Sequence, residues 1–424
     1  MKMVLNPDVP RLSLSGLDAD LTEEEIAIQE TAHKFARQVM RPLGQKLDKL
    51  NPEQVVKPEA GLSDFLQQLD ELGLSPLAIS QLEPLVASRL LPLVLEELGW
   101  GDPGLTVLSL VGAFPALAAD MSGNPVLTEK FNGKQGCWIA TQPDRGSDVA
   151  DPKGINLLRG GSQIKGNLHA KLSGDHLTLN GQSSSWVSGG PLAETALIFC
   201  ATDLGEGYVS ENGTINGCAM LVSLDQKGVS KGPPLDKIGK RPLPQGEIFF
   251  DDVEVPLDHI LAGHKGFPSA VFSALTFGNL EIACIMTGVA RAAYDHSISY
   301  VHNRRQGGGQ LIAHQSVKTR LFNMWCKVES CRAMARRVSK FNFLSVDPHV
   351  LASITAKVHC TQMAFEVANE AIQIFGGVGL TAEYPVEKIF RDARAALIED
   401  GENNILGLIA ADWLSRTWQH TSAS

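Results

Sequence analysis

Gln373-Ile-Phe-Gly-Gly-Val-Gly-Leu-Thr-Ala-Glu-Tyr-Pro-Val-Glu-Lys-Ile-Phe-Arg-Asp-Ala-Arg394 is the most informative stretch of this 424-residue chain. From His349 onward, apolar residues recur at helical spacing, and Gly376-Gly-Val-Gly379 closes that helix, because glycine takes a left-handed cap conformation without a Cβ penalty. One glycine is an ordinary cap; three beside Gln373 leave room for a ligand backbone or a pyrophosphate to come close. Past Arg391 an apolar run leads to three carboxylates, Glu399, Asp400 and Glu402, just before another helical pattern. Such a cluster reads either as an acidic cap favoured by the helix dipole or as a carboxylate base at the mouth of an apolar pocket. The residues alone leave both readings open.

Everything after Pro256 has the helical period, with long segments predicted over 269–303, 314–343, 349–375 and 403–413, an antiparallel bundle with short connections. From Gly136 to Pro256 the period is that of strands: 137–141, 168–172, 177–180, 195–202, 218–224 and 247–255 are β-rich runs split by Gly, Asp, Asn and Pro. Leu168–Leu172, the turn Ser173-Gly-Asp-His176 and Leu177–Gly181 spell a hairpin. The first third is helical again. Thr22 and Glu25 form a capping box for a helix that Pro42 should end, and further helices are predicted over 62–72, 84–98 (stopped by Gly99) and 104–121. The order is α, β, α, an α+β chain with an N-terminal helical domain over 1–135, a middle β domain over 136–256 and a C-terminal bundle over 257–424.

Composition narrows the function. Hydrophobic residues make up 44% and charged residues 20%, enough to bury a large interior. A formal charge of −10 argues against nucleic acid or anionic membrane as a bulk partner. Charges such as Glu96, Glu97 and Asp102 interrupt the apolar runs, so no membrane span is expected. Pro7 and Pro10 break the opening segment, which lacks a leader's apolar core, and a cytoplasmic protein is expected. Seven scattered cysteines without a CxxC pair suggest reduced core thiols and no metal site. HExxH, GxSxG and GxxxxGK[ST] are all missing, which sets zinc proteases, elbow-type serine hydrolases and P-loop enzymes aside.

Two polar loops join the glycine and carboxylate segments as candidate sites. Thr141-Gln-Pro-Asp-Arg-Gly-Ser-Asp148 follows a strand, and Gln182-Ser-Ser-Ser-Trp-Val-Ser-Gly-Gly190 sets a flat apolar ring among hydroxyls. Each is unremarkable by itself. In order and spacing, however, Thr141–Ala150 (TQPDRGSDVA), Leu179–Gly190 (LNGQSSSWVSGG), Glu247–Pro256 (EIFFDDVEVP), Tyr300–Gln315 (YVHNRRQGGGQLIAHQ) and Gln373–Arg394 resemble five motifs of the flavin-dependent acyl-CoA dehydrogenase family.

The resemblance implies the same α, β-barrel-like, four-helix-bundle architecture, noncovalent FAD, and a homo-oligomer, usually a tetramer, in which two subunits contribute to each FAD site. It implies that Thr141 and Ser188 hydrogen-bond the flavin ring, with Trp186 against it, and that Ser147 lies near the pyrophosphate and the substrate's pantetheine. Arg304 and Gln315 match residues on the ADP part. Gln373, Gly376 and Gly377 match the segment reaching it from the partner subunit, and Glu402 and Asn404 match FAD contacts. The implied reaction takes an acyl-CoA substrate to the 2,3-unsaturated thioester by α-proton removal and β-hydride transfer, with electron-transferring flavoprotein as the acceptor. Competing readings are a same-fold oxidase of acyl-CoA or nitroalkane type and a flavoprotein that only binds.

Departures from the family pattern matter as much. Asp400 stands where the usual base is a glutamate, with Glu399 at a common tyrosine position and Gly401 following. The shorter side chain points to a bulky or cyclic substrate, with Glu399 and Glu281 as fallback bases. A branched-chain subgroup carries its base at the position of Gly278, three residues before Glu281. Asn279 replaces an arginine that often assists the substrate site, Gly307 replaces a phenylalanine, and Gln142 a glutamate.

Overall fold

The computed structural model describes residues 20–152, 165–347 and 349–422; the reading of the opening segment concerns residues outside that range. The capping box of α1 (Glu23–Phe35) forms as expected, with the Glu25 N–H donating to Thr22 Oγ1 at 3.2 Å and the Thr22 N–H to Glu25 Oε2 at 2.8 Å. Pro42 does not end this run. The helix widens into a π-turn over Ala36–Met40 and continues as α2 (Arg41–Leu47), with Pro42 in its first turn. There the bonding pattern has already shifted, and the donor that proline lacks is not required. Short helices α3 (Pro52–Val55), α4 (Leu62–Glu71) and α5 (Pro76–Ser80) lead to α6 (Pro84–Gly101), α7 (Pro103–Met121) and the unanticipated two-turn α8 (Pro125–Phe131).

The strands β1 (Gly136–Ile139), β2 (His169–Ser173), β3 (His176–Gln182), β4 (Thr195–Asp203), β5 (Gly217–Ser223), β6 (Val229–Lys231), β7 (Ile248–Pro256) and β8 (Ile260–Ala262) form one sheet. Its order is β6-β7-β3-β2-β4-β5-β8, with β1 also on β4. The β2–β3 hairpin is present, Ser173 facing His176. β6 and β8, three residues each, are too short to show alternation. β8 extends the sheet beyond Pro256. One register detail positions the site. Along the same edge of β4, β1 runs parallel to Thr195–Ile198 and β2 parallel to Ala201–Asp203. The edge is therefore split at Phe199 and Cys200, beside the end of β1 where the Thr141 loop begins.

The chain then enters α9 (Phe267–Asn303), a small hairpin of β9 (Arg305–Gln306) and β10 (Gly309–Gln310), α10 (Gln315–Leu344), α11 (Val350–Phe375), α12 (Val386–Ala395) and α13 (Asn403–Ser422). α13 runs well past the expected Trp413, and α12 was not anticipated. α6 packs along α9 and α10, so one apolar core runs from Ala32 to Ala396 through both helical parts. Gly99 is a packing residue, not a stop. A Cβ at Gly99 would lie 2.2 Å from the Ile285 carbonyl oxygen, and one at Gly288 would lie 2.0 Å from that of Glu96, so the two glycines let the α6 and α9 backbones touch. At the same junction Glu96 and Glu97 are buried but paired with Arg291 and Arg332, as charges withdrawn from water must be.

The expectation of no span-like helix needs correction. α7 and α9 are long and apolar enough to cross a bilayer by length and composition, since α7 carries no charge from Pro103 to Ala119. In the fold 61% and 72% of these windows are buried, so core packing accounts for their apolarity.

Candidate active site

A cavity of about 640 Å³ opens where the split edge of the sheet meets the N-terminal half of α9 and the loop before α13. Thr141 and Ser147 reach it from the loop after β1, and Trp186 and Ser188 from the loop after β3. Lys237 and Gln245 come from the connection before β7, and Glu399, Asp400 and Gly401 from the loop after α12. Its apolar wall includes Val107 and Val111 of α7, Trp138 and Phe199 of the sheet, and Phe267, Val271 and Leu275 of α9. The latter three are spaced by four residues and so share one helix face. The ring contacts Phe114–Trp138, Trp138–Phe199 and Phe199–Phe267 fix that wall.

The hydroxyl groups are tied into the scaffold. Thr141 Oγ1 lies 2.6 Å from Ser184 Oγ. Ser188 Oγ accepts from Gln245 Nε2 at 3.0 Å, while Gln245 Oε1 accepts from the Lys237 ammonium at 2.7 Å. That ammonium also donates to the Lys240 and Leu243 carbonyls, and burial pulls its pKa down to about 7. Ser147 Oγ accepts from the Glu402 N–H at 2.9 Å and joins the Thr141 loop to the Asp400 loop. Trp186 is 62% exposed at the cavity mouth, an uncovered flat ring beside the two hydroxyl-bearing loops.

Among the described residues, Asp400 is the carboxylate on the cavity wall that has no ion-pair partner. Its backbone is left-handed (φ 51°), as is that of Gly401 (φ 96°), and its carbonyl oxygen accepts from Asn279 Nδ2 at 3.1 Å. Burial, then the nearby charge of Glu399, push its carboxyl up to about 6 against the downward pull of Lys357 and Lys240. The other acidic residues divide differently. Glu399 is on the wall but ion-paired to the Lys240 ammonium. Glu281, buried on α9 and absent from the wall, has its carboxyl raised to about 8 by burial and by Asp400, and its Oε2 has no hydrogen-bond partner.

Three expected site residues, Glu402, Asn404 and Asn279, do not line the cavity. Glu402 caps α13, its carboxylate accepting from the Asn404 and Ile405 N–H groups and from Asn404 Nδ2; the acidic-cap reading is the geometry observed for this pair. Asn279 is fully buried and holds the Asp400 carbonyl without lining the cavity. Its Nδ2 is used on the loop, while its Oδ1 is buried with no partner among the described residues.

The remaining expected residues lie elsewhere. Arg304 follows the turn of α9 that carries Tyr300, whose ring stacks on Phe375 with centroids 4.0 Å apart. Gln373, Gly376 and Gly377 surround Phe375, and Gln315 starts α10 just after Leu311, whose N–H donates to the Arg304 carbonyl. Arg304 and Gln315 thus belong with the Gln373 segment, at the far end of α9. At 1.5 Å per residue, Arg304 is roughly 40 Å along the helix from Leu275 on the cavity wall. Gly376 is also left-handed (φ 66°), and a Cβ at Gly376 or Gly377 would meet nothing within 4 Å, which leaves open space over the cap.

Sequence reasoning missed Lys237, Lys240, Gln245 and Lys357. A lysine inside an apolar helical stripe, as in Ala356-Lys-Val358, was the available signal.

Comparison with known proteins follows the same lines. Two domain profiles of one family match in succession: "Acyl-CoA dehydrogenase, middle domain" over residues 137–253 and "Acyl-CoA dehydrogenase, C-terminal domain" over 264–415, together well over half of the chain. The chain is 26% identical over 411 residues to a short-chain-specific acyl-CoA dehydrogenase of Clostridium acetobutylicum, covering 94% of this chain and all of that one. It is 28% identical to the mitochondrial short-chain-specific enzyme of Rattus norvegicus, over 97% of this chain and 95% of that one. In structure it is similar to butyryl-CoA dehydrogenase from Megasphaera elsdenii, with a TM-score of 0.78, 24% identity, and 93% and 99% of the two chains covered.

Proposed function

This chain belongs to the acyl-CoA dehydrogenase family, and from that premise we propose that Asp400 is the base that removes the α-proton of a compact, bulky or cyclic acyl-CoA. The observation that carries the reading is Asp400 itself. It is a carboxylate on the cavity wall without an ion-pair partner among the described residues, on a left-handed backbone fixed through its carbonyl to α9, whose apolar face lines the same cavity. Its raised pKa makes it a stronger base than a free aspartate while leaving it ionised at neutral pH.

The family implies FAD, and the cavity's residues fit it. An uncovered indole face at Trp186 stands beside the Thr141 and Ser188 hydroxyls, with depth for a second, apolar ligand behind. Thr141, Trp186 and Ser188 would hold the ring, and Ser147 the region nearer the pyrophosphate. Bound there, FAD supplies the hydride acceptor. The chain's own residues do the rest. Asp400 takes the α-proton, and its backbone N–H meets the thioester oxygen as negative charge develops. Trp138, Phe199 and Phe267 exclude water from the acyl end.

Acyl-group shape is read from the same wall. Gly278 does not line the cavity: it is buried on α9, where a Cβ would stand at ordinary contact distance, 3.7 Å, from Trp138 Cζ3. A base one methylene shorter than glutamate suits a ring or a branched group, received by the apolar wall of Val107, Val111, Trp138, Phe199 and Val271. Electron-transferring flavoprotein is the acceptor in this reading.

Anaerobic bleaching of the flavin by straight, branched, cyclic and aryl-substituted acyl-CoAs tests it. Bleaching fastest with a ring-bearing or branched thioester, and lost in Asp400→Asn, is expected. Bleaching by none of the panel, or undiminished bleaching in Asp400→Asn, overturns the assignment.

A further inference from the structure

We infer that Lys357 is a positioning residue for the base: from α11 it clamps the backbone just beyond Asp400 and lays its ammonium charge beside the carboxylate. The inference deepens the reading of Asp400 as the base and rests on it. Lys357 is fully buried. Its Nζ donates to the Gly401 carbonyl at 2.6 Å and to Asn403 Oδ1 at 2.8 Å. Asn403 is held in turn, its Nδ2 donating at 3.0 Å to Thr361 Oγ1, one turn along α11 from Lys357. On the other side, Asn279 of α9 donates to the Asp400 carbonyl. Two consecutive carbonyls, each on a left-handed residue, are therefore held by buried side chains from two different helices. Consecutive left-handed residues persist where their surroundings over-determine them, and here the two donors do so.

Charge supports a role beyond packing. Burying an ammonium is costly, and a methionine would fill the same stripe without that cost. The charged groups facing Asp400 are Glu399 on its own loop, Lys240 from the connection before β7, Glu281 of α9 and Lys357 of α11. Lys240 is ion-paired to Glu399, whereas Lys357 is bonded to neutral oxygens, so its field falls on Asp400.

The test follows Asp400 directly. Infrared difference spectra of the full-length holoprotein across pH give the carboxyl titration, assigned by its loss in Asp400→Asn. In parallel, the pH profile of α-proton exchange into an acyl-CoA is measured. In Lys357→Met and Lys357→Gln the Asp400 titration should rise by about one pH unit or more, and the acid limb of exchange should rise with it. At high pH, where the base is ionised in every variant, Lys357→Gln should keep more activity than Lys357→Met because it retains a donor for the Gly401 carbonyl. An unmoved Asp400 titration in both variants overturns the inference. Should Lys357→Met fail to fold, Lys357→Gln alone decides it. A moved titration in a protein whose wild type exchanges no α-proton keeps the clamp and sinks the thioester chemistry; normal exchange with an unmoved titration does the reverse.

Discussion

At the scale of single residues, Asp400 as the proposed base would couple stability to activity with opposite signs. Its carboxyl is raised from 3.8 to about 6 by burial and by Glu399, so the folded protein holds a proton there between about pH 4 and 6 that the unfolded chain has released. Stability from this group is therefore present at low pH and is lost as pH rises through 6. The base is ionised only above that window, so α-proton exchange should climb as pH passes 6. Asp400→Asn should then lower exchange by about 10²–10⁴-fold while raising stability at pH 7.5 by on the order of 1–3 kcal/mol, a gain that fades toward pH 4. Urea unfolding at the two pH values checks it; a variant less stable than wild type at pH 7.5 would contradict it. The place of Asp400 on the cavity wall was legible because an odd residue at a recognisable position is visible in a string of letters. The roles of Asn279 and Glu402 were not, because a side chain that caps a helix or holds a loop has the same letter as one that touches a ligand. Lys357 left a signal that does not decide by itself: a long cationic side chain in an apolar stripe ordinarily carries its charge out to water, and only the fold shows that this one points inward.

Among elements, the contact of α6 with α9 makes a sharp prediction about glycine. Gly99→Ala and Gly288→Ala each drive a Cβ to within about 2 Å of a carbonyl oxygen on the facing helix, backbone that cannot swing away. Each should destabilise by about 3 kcal/mol or more, or prevent folding. Gly407→Ala, in α13 with nothing within 4 Å of the new methyl, should be neutral or stabilise by about 0.5–1 kcal/mol. Thermal and denaturant midpoints of the three variants decide it, and similar losses in all three would mean that the crossing is not tight. The contrast also explains which elements the sequence disclosed. Long helices and the strands of five residues or more showed their period, and hairpin β2–β3 its turn. Pro42 and Gly99 misled because a breaker's meaning is local only when nothing packs against it: a π-turn accommodates the first, and a neighbouring backbone requires the second. Two-turn α8, packed on the preceding α7, is too short to show a helical period, and the three-residue strands β6 and β8 are made by β7 and β5, which are distant in sequence.

For the whole molecule, the placement of the two candidate ligand regions is the main consequence of the fold. Thr141, Ser147, Trp186, Ser188 and Asp400 gather at one end of α9, while Arg304, Gln315, Gln373, Gly376 and Gly377 gather around the Tyr300–Phe375 stack at the other. Roughly 40 Å of rigid helix separates them, a distance that one chain cannot close by moving a loop. If both regions hold one FAD, the second must come from another copy of the chain, as the sequence resemblance implies for Gln373, Gly376 and Gly377; the fold places Arg304 and Gln315 with them. Hybrid oligomers test this. Asp400→Asn lacks the base but keeps its far-end cluster, and Gln373→Ala keeps the base but has a damaged cluster. Each homo-oligomer should be inactive or flavin-poor. Co-expressed with different tags and isolated as hybrids, the two should regain flavin absorbance and acyl-CoA-dependent bleaching, because the cavity of the Gln373→Ala chain then meets an intact cluster on its Asp400→Asn neighbour. Sites completed within one chain would instead gain nothing on mixing, since every chain in the hybrid carries a defect in its own site.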